Sequence, residues 1–390
     1  MIICSAFLKK SPASPAVHSH LSQLKGSHGF CPDHLEFYQV LEEILKSAAS
    51  SQYNGIMKYL TFLTSFLFLA CSSTNPKTAA VVDARKPAAV SESFQGSSFI
   101  TRLPSGFYHG PSELGIEGLT RKPAKTYLPL QYNSTKAWPL IVMLHGFSGT
   151  ADTEDTYLGL RFRVSLRGFV LLEPEGTVMP KGTIGPGGVD VGGDQFWNAT
   201  AACCDFARTN VDDVGYVLAL IAKMQKSYNI DSTRIYIIGH SNGGFLANRL
   251  TCESGKSFAG VASLAGGTFE KVQDCREPTS VSYLHIQALD DKTILYQDAP
   301  NYAGGKETVE QWLARNKCSG APVSQVRKDF VFLIPGLDTS EQNWSDCATG
   351  KDVSLWTIDA FKHAGHNPHV PLFNLNFMDA VLDFLLSHHN

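Results

Sequence analysis

The sequence predicts an α/β fold in which helices cover both faces of a mostly parallel β-sheet. The run at residues 139–144 is continuously apolar, and the stretch at 234–238 is apolar from Ile235 onward, as expected of parallel strands buried on both faces. Helical patterns separate the apolar runs along the chain, and this alternation is typical of a parallel sheet. The stretch at 234–238 leads into Gly-His-Ser-Asn-Gly at 239–243 and then into a helical pattern. We therefore expect the functional site at this strand, turn and helix.

The other elements are predicted in chain order from residue 125 onward. Residues 125–132 alternate as an antiparallel edge strand, and Pro129 confines that strand to the margin of the sheet. Asn210 is the expected N-cap of a helix that carries Val214 and Ile221 on one face. Further strands are predicted at 167–172, 260–266, 281–286 and 353–359, and further helices at 243–254, 308–317 and 374–387.

The first 98 residues differ in composition from the rest of this 390-residue chain. Residues 57–70 contain an apolar run that is shorter than the roughly 20 residues of a transmembrane helix, and their pattern is typical of an export signal peptide. Cys71 follows in a context that resembles a bacterial lipoprotein cleavage site, so it is the predicted lipidation site. We expect residues 1–56 to be an upstream extension, 71–98 a flexible tether and 99–390 the folded domain. The alternative for residues 1–56 is a genuine cytosolic segment with a helix at 35–46.

Charge and cysteine content restrict the possible partners and compartments. The net charge is −3 and no basic stripe is present, so nucleic acid is not expected as a partner. Six cysteines follow Cys71, an even number that suits three disulfides in an oxidising compartment. Six cysteines allow fifteen pairings, among which Cys252 with Cys275 and Cys318 with Cys347 are reasonable. The cysteine spacings do not match a zinc site, and no metal is predicted.

Ser241 is the predicted nucleophile. A serine at a sharp strand-to-helix turn points its hydroxyl away from the sheet, and the residues two before and two after it must lack a Cβ. Gly239 and Gly243 meet this requirement. The backbone N–H of Asn242 lies at the start of the following helix, where a negative oxygen is favoured. Asn242 is therefore one expected donor of an oxyanion hole.

The second oxyanion donor is expected in the His-Gly-Phe turn at 145–147, directly after a buried strand. We assign the backbone N–H of Phe147 to this role, with Gly146 as the flexible element. A buried acid is expected after the strand at 281–286, where Asp291 is the first choice and Asp290 the reserve.

The base is expected after the last strand, where the sequence offers His363, His366 and His369 within seven residues. Such a cluster is also compatible with metal binding. Because these histidines lie in a Pro/Gly-containing loop without a neighbouring carboxylate, the metal interpretation is disfavoured.

Six short motifs lie between residues 144 and 358. They are 144–149 (Leu-His-Gly-Phe-Ser-Gly), 196–200 (Phe-Trp-Asn-Ala-Thr) with Cys203 and Cys204, 211–213 (Val-Asp-Asp), 239–245 (Gly-His-Ser-Asn-Gly-Gly-Phe), 308–312 (Thr-Val-Glu-Gln-Trp) with Cys318, and 355–358 (Leu-Trp-Thr-Ile). Together they resemble the polyhydroxybutyrate depolymerase-like esterases, a group related to feruloyl and acetylxylan esterases within the α/β-hydrolase fold. The resemblance extends from about Phe107 to the C-terminus.

The resemblance implies that Ser241 is the nucleophile, Asp291 the acid and a loop histidine the base. Residues 369–371 (His-Val-Pro), with Phe377 downstream, match a His-Ile-Pro pattern of the family, so His369 is favoured. His366 is the reserve, because Ala-Gly-His at 364–366 resembles the glycine-rich approach to the family's histidine.

Two further features concern substrate preference. Trp197 is expected as a wall for the acyl or alcohol group, with a core tryptophan as the alternative, and His145 as a second substrate-binding residue. The sequence departs from the family at 287–289, where Gln-Ala-Leu stands in place of His-Gly-Thr.

The predicted function is that of a secreted serine carboxylic ester hydrolase that works through an acyl-enzyme and needs no cofactor. It would be polyhydroxybutyrate depolymerase-like or feruloyl/acetyl esterase-like, with residues 99–390 as its α/β-hydrolase domain. Expected substrates are a polyester, a feruloylated or acetylated polysaccharide, or a small ester. The expected location is extracytoplasmic, either secreted or anchored to a membrane by lipid on Cys71. The alternatives are a non-catalytic carbohydrate-binding member of the fold and a serine peptidase.

Overall fold

A computed structural model of the chain describes residues 107–275, 279–331, 336–359, 366 and 375–390. The predictions for residues 1–98, including the export signal at 57–70 and the lipidation site Cys71, concern residues outside this set. His363 and His369 also lie outside it. Within the described ranges, no helix has the length and apolar character needed to cross a membrane.

The described strands are short, and most of them join one large sheet. In chain order they are β1 His109–Leu114, β2 Ala124–Leu128, β3 Trp138–Leu144, β4 Val170–Glu173, β5 Thr177–Val178, β6 Gln195–Phe196, β7 Ile230–His240, β8 Gly260–Leu264, β9 Thr268–Phe269, β10 Ser282–Ala288, β11 Tyr302–Ala303, β12 Ser324–Lys328, β13 Thr339–Trp344 and β14 Val353–Ile358.

The large sheet has ten strands in the order β1-β2-β4-β3-β7-β8-β10-β14-β13-β12. The six central strands, from β4 to β14, run parallel to one another. The two strands at each margin pair in antiparallel fashion. This mostly parallel sheet confirms the predicted α/β-hydrolase fold class.

Helices pack on both faces of the sheet. They are α1 Ala151–Leu158, α2 Leu160–Arg167, α3 Asp213–Ser227, α4 Asn242–Ser254, α5 Gly305–Asn316 and α6 Leu375–Leu386. One apolar cluster includes buried side chains of α3, α4 and α5, and a second includes those of α1, α2 and α6.

Alternate residues of the central strands supply these two clusters. In β3, Leu140, Val142 and Leu144 belong to the first cluster, whereas Ile141 and Met143 belong to the second. Successive side chains of a strand point to opposite faces, and both faces are covered here. This is why the run at 139–144 is apolar at every position.

Three predicted details differ from the structure. The strand at 124–128 is antiparallel as predicted, but β1 lies outside it, so it is not the edge of the sheet. The N-cap of α3 is Asp212, whose side chain accepts the Gly215 N–H, rather than Asn210. The hairpin of β12 and β13 was not predicted, because β12 is exposed at every position and carries no apolar pattern.

The described cysteines form three disulfides. Cys252 pairs with Cys275 and Cys318 with Cys347, which confirms the two pairings favoured by the sequence. The third bond joins the neighbouring residues Cys203 and Cys204. Cys252 lies in the last turn of α4, and Cys318 lies two residues beyond the end of α5, so these two bonds attach other segments to the carboxyl ends of the two helices.

Candidate active site

Ser241 lies at the sharp turn between β7 and α4. Its backbone has φ 52° and ψ −118°, a left-handed region that is strained for a residue with a Cβ. A Cβ added to Gly239 would lie 2.2 Å from the Gly243 carbonyl oxygen, and one added to Gly243 would lie 2.2 Å from the Leu144 carbonyl oxygen. The two glycines therefore permit the close approach that holds Ser241 in this conformation, as predicted.

We expect Gly243→Ala to abolish soluble folded protein or to lower its free energy of unfolding by more than about 3 kcal/mol. The reason is that the Leu144 carbonyl belongs to central strand β3 and has no room to move. Gly115→Ala is the matched control, because a Cβ at position 115 meets no atom within 4 Å. Chemical denaturation of both variants measures the difference. Equal stability of the two would contradict the packing argument.

Asp291 follows strand β10 and is buried at 3% exposure. Its Oδ1 accepts the backbone N–H groups of Thr293 (2.9 Å) and Ile294 (3.0 Å). Its Oδ2 lies 2.8 Å from Nδ1 of His366, whose side chain is 16% exposed. An imidazole whose Nδ1–H donates to a buried carboxylate has its Nε2 free to take a proton. Asp291 and His366 thus form a buried carboxylate–imidazole pair.

His366 lies near the residue that precedes Ser241. The ring centroids of His366 and His240 are 5.4 Å apart. Within the described part of the chain, Ser241 Oγ makes no hydrogen bond to His366. In enzymes without bound substrate such catalytic hydrogen bonds are often long and tighten when substrate binds. His363 and His369, the other two predicted bases, lie outside the described residues.

A buried polar chain lies behind Asp291. Gln287 donates from Nε2 to Asp291 Oδ2 (3.4 Å) and to the Ile294 carbonyl (2.6 Å), while its Oε1 lies 2.9 Å from His285 Nε2. His285 is fully buried, and burial lowers the pKa of His285 to about 4. Gln287, the first residue of the departure at 287–289, is therefore buried and contacts Asp291 rather than the solvent.

We expect His285 to make the folded state sensitive to acid. Its pKa is 6.5 in the unfolded chain and about 4 in the folded one, so below pH 6.5 the unfolded chain binds more protons. This contribution is fully present near neutral pH and is lost as the pH falls from 6.5 to 4, by about 3 kcal/mol at most. Denaturation at pH 7 and pH 4.5 should show a smaller loss for His285→Gln than for the wild type. An identical loss in both would contradict this assignment.

The turn after β3 has one backbone N–H group without an acceptor. The Gly146 N–H donates to Glu154 Oε2 (3.0 Å), Ser148 to the Gln195 carbonyl (2.9 Å) and Gly149 to the Gly146 carbonyl (3.1 Å). Among the described residues, no acceptor faces the N–H of Phe147. A Cβ at Gly146 would lie 3.4 Å from Ser241 Cβ, so this turn is next to Ser241. The assignment of the Phe147 N–H as an oxyanion donor stays a prediction.

Asn242 offers the second such group. As the first residue of α4 it has an N–H that no helical carbonyl can reach, and it has no other acceptor in the described ranges. Its side chain accepts the Trp197 N–H (2.8 Å) and donates to the Trp197 carbonyl (3.0 Å). These two hydrogen bonds attach the first residue of α4 to Trp197, which directly follows strand β6.

His145 and Trp197 lie in the interior of the structure, and for Trp197 this agrees with the alternative of a core tryptophan. Both side chains are fully buried at 0% exposure, so neither presents a surface to substrate. His145 Nε2 accepts the Gly176 N–H (2.9 Å), which leaves Nδ1 to donate to the Gly146 carbonyl (2.8 Å). Burial lowers the pKa of His145, in keeping with this neutral form. Trp197 Nε1 donates to the His145 carbonyl (2.9 Å). Both residues hold the turn rather than the substrate.

An open cleft of about 490 Å³ lies beside the turn and His240. Its lining residues are Gly146, Phe147, Ser148, Gly149, Thr153, Glu154, Tyr157 and His240. Among the described residues there is no cluster of histidine, cysteine and carboxylate side chains that would hold a metal ion.

Glu154 was not predicted from the sequence, and Gln287 was noted only as part of the departure at 287–289. Glu154 occupies the first half of a short helix, where an acidic residue is normally exposed and favoured by the helix dipole. A second signal for Gln287 is its place in a buried strand, where polar residues are uncommon.

No protein-family profile matches this chain. A protein named "Putative esterase NocK" from Nocardia uniformis subsp. tsuyamanensis is 30% identical over 272 residues, which cover 64% of this chain and 74% of that protein. "Feruloyl esterase B" from Piromyces equi is 24% identical over 248 residues, 60% of this chain and 41% of that protein, so this chain spans less than half of that relative. A solved acetyl xylan esterase from Aspergillus awamori is 13% identical, with a TM-score of 0.46, and covers 67% of this chain and 93% of its own.

Proposed function

Since this chain belongs to the feruloyl esterase-like serine esterases of the α/β-hydrolase superfamily, we propose that it hydrolyses carboxylic esters through an acyl-enzyme on Ser241. In this proposal Asp291 and His366 complete the triad, and the backbone N–H groups of Phe147 and Asn242 form the oxyanion hole. His366 replaces His369 as our first choice for the base.

The observation that carries the proposal is the 2.8 Å contact between His366 Nδ1 and Asp291 Oδ2. Asp291 follows β10, and Ser241 follows β7, so both lie at the carboxyl ends of parallel strands in the same sheet. Functional groups at the carboxyl ends of parallel strands meet at one edge of an α/β sheet. The strained backbone of Ser241 supports the same role, because such strain persists mainly at functional sites.

The proposed reaction has two halves. Ser241 Oγ bonds to the ester carbonyl carbon while its proton passes to His366 Nε2, and the carbonyl oxygen becomes an anion that the Phe147 and Asn242 N–H groups stabilise. The C–O bond to the alcohol then breaks, and His366 returns the proton to the leaving oxygen. Water attacks the acyl-Ser241 in the same way, giving the carboxylic acid and free Ser241. Asp291 holds the His366 tautomer throughout.

We propose a feruloylated or acetylated polysaccharide as the natural ester, because a relative carries the name feruloyl esterase and the sequence motifs resemble a group related to feruloyl and acetylxylan esterases. A polyhydroxyalkanoate polyester and small esters are the other substrates implied by the sequence motifs. We also propose an extracytoplasmic location, which the disulfides Cys252–Cys275 and Cys318–Cys347 support. Lipid on Cys71 would anchor the protein to a membrane.

The test combines covalent labelling with a substrate panel. A fluorophosphonate should label the wild type once, on the peptide that contains Ser241. The purified enzyme should then hydrolyse p-nitrophenyl acetate, and we expect methyl ferulate or acetylated xylan to be turned over faster than 3-hydroxybutyrate oligomers. Labelling at another residue would contradict the assigned nucleophile, and no turnover of any ester would favour the carbohydrate-binding alternative.

A further inference from the structure

Glu154 connects the two halves of the predicted oxyanion site. It lies in α1 and is buried at 5% exposure. Its Oε2 accepts the Gly146 N–H at 3.0 Å, and its Oε1 lies 3.3 Å from Nδ1 of His240, the residue before the nucleophile. One carboxylate therefore contacts the turn that carries Phe147 and the elbow that carries Ser241.

The contact with Gly146 fixes the orientation of the turn. The peptide group between His145 and Gly146 is held at both polar atoms: Glu154 accepts its N–H, and Trp197 Nε1 donates to its carbonyl at 2.9 Å. The next peptide group carries the Phe147 N–H, and its carbonyl, that of Gly146, accepts from His145 Nδ1 (2.8 Å) and Gly149 N (3.1 Å). Of these two peptide groups, the one between His145 and Gly146 relies on Glu154 as the acceptor of its N–H. Without that acceptor the Gly146 N–H would be buried and unpaired, and the turn would rotate to satisfy it.

His240 and the Gly146 N–H stabilise the negative charge of Glu154. Burial opposes ionisation, but His240 and the Gly146 N–H outweigh it, so the pKa of Glu154 is lowered from its usual value. An unbalanced carboxylate beside an oxyanion would oppose the reaction by repulsion. His240 is packed against Tyr157, with ring centroids 4.9 Å apart, so the His240 ring is held against the carboxylate by α1 itself.

We propose that Glu154 is a positioning residue for the oxyanion hole, acting through Gly146 to aim the Phe147 N–H and through His240 to hold the elbow in register with it. This inference rests on the proposed esterase function. It goes beyond the triad, because Glu154 acts through Gly146 and His240 rather than on the reacting atoms.

The test compares three substitutions that separate shape from charge. Glu154→Gln keeps the length and an acceptor for the Gly146 N–H but removes the charge. Glu154→Asp keeps the charge but is one methylene too short to contact Gly146 and His240 together. Glu154→Ala removes both contacts. Asp155→Asn is the matched control, since Asp155 is the next residue, is also buried, and bonds the Arg161 N–H (2.8 Å) away from the turn.

If Glu154 positions the oxyanion hole, its replacement should lower kcat and change KM little. Removal of one oxyanion donor typically lowers kcat by about 10²-fold to 10³-fold, so we expect about 10²-fold for Glu154→Ala and about tenfold or more for Glu154→Asp. Glu154→Gln should stay within about threefold of the wild type, well short of the loss in Glu154→Asp, because it keeps an acceptor for the Gly146 N–H. Asp155→Asn should keep the wild-type kcat even if its thermal stability falls. An aryl trifluoromethyl ketone, which adds Ser241 Oγ and forms an oxyanion, should bind more weakly in parallel with the loss of kcat.

The outcomes are distinguishable. If Glu154→Ala does not fold, the Asp and Gln variants decide the matter. The inference is overturned if Glu154→Asp retains wild-type kcat and ketone affinity, if Glu154→Gln loses as much as Glu154→Asp, or if the change appears only in KM. A wild-type protein with no esterase activity would overturn the proposed function first, and this inference with it.

Discussion

Replacing Ser241 with alanine is expected to lower kcat for ester hydrolysis by about 10⁵-fold to 10⁶-fold, leaving the folded structure intact. The loss is this large because the acyl-enzyme cannot form without the hydroxyl, whereas the two backbone donors and the binding surface remain. The substitution removes one oxygen from a half-buried side chain and leaves the Ser241 N–H bond to the Leu264 carbonyl (2.8 Å) in place. Thermal unfolding should therefore change little.

The measurement is the initial rate on p-nitrophenyl acetate, with fluorophosphonate labelling as a second readout. Ser232→Ala is a suitable control, because Ser232 is exposed on the same strand β7. It should retain full activity and full labelling. Wild-type turnover by the Ser241→Ala protein would refute the acyl-enzyme, and residual turnover near 10³-fold to 10⁴-fold above water is what the oxyanion hole alone would supply.

Replacing His366 with alanine is expected to lower kcat by about 10⁴-fold to 10⁶-fold. Without the imidazole no group takes the Ser241 proton, and the Asp291 carboxylate loses its 2.8 Å partner. Asp291→Asn should cost about 10⁴-fold, because an amide holds the wrong tautomer of His366. The double variant should lose little more than His366→Ala alone, since the triad acts as a unit.

His388 provides a matched control for this experiment. Its Nε2 lies 3.0 Å from an Asp352 carboxylate oxygen, and its side chain is 15% exposed, compared with 16% for His366. His388→Ala therefore removes a similar imidazole–carboxylate pair and should leave kcat unchanged. His363→Ala and His369→Ala complete the series. A large loss for His369→Ala with an active His366→Ala protein would assign the base to His369 instead.

The nucleophile elbow was predictable because its constraints are local. The clash at Gly239 involves Gly243, four positions along the chain, so the pattern of glycines around Ser241 already contains the reason for the turn. The central strands were predictable for a similar reason, since burial on both faces requires apolar residues throughout β3 and from Ile235 to Ile238 in β7.

Several features were not predictable from local pattern. Strand β12 has no apolar residue facing the core, and only its pairing with β13 makes it a strand. The sequence around Trp197 does not distinguish a tryptophan that lines a pocket from one that fills the core. Its full burial becomes evident only in the packed molecule. Glu154 was missed because its partner His240 is brought to it by the packing of α1 against the end of β7.

By itself, the sequence determined the α/β fold and the sharp bend at Ser241, because apolar periodicity and glycine sterics act over short stretches of chain. Only the tertiary structure paired the cysteines, brought His366 to Asp291, 75 positions away, and showed which residues support the turn at Phe147. These features depend on distances between segments remote in sequence, which arise only when the strands have packed side by side.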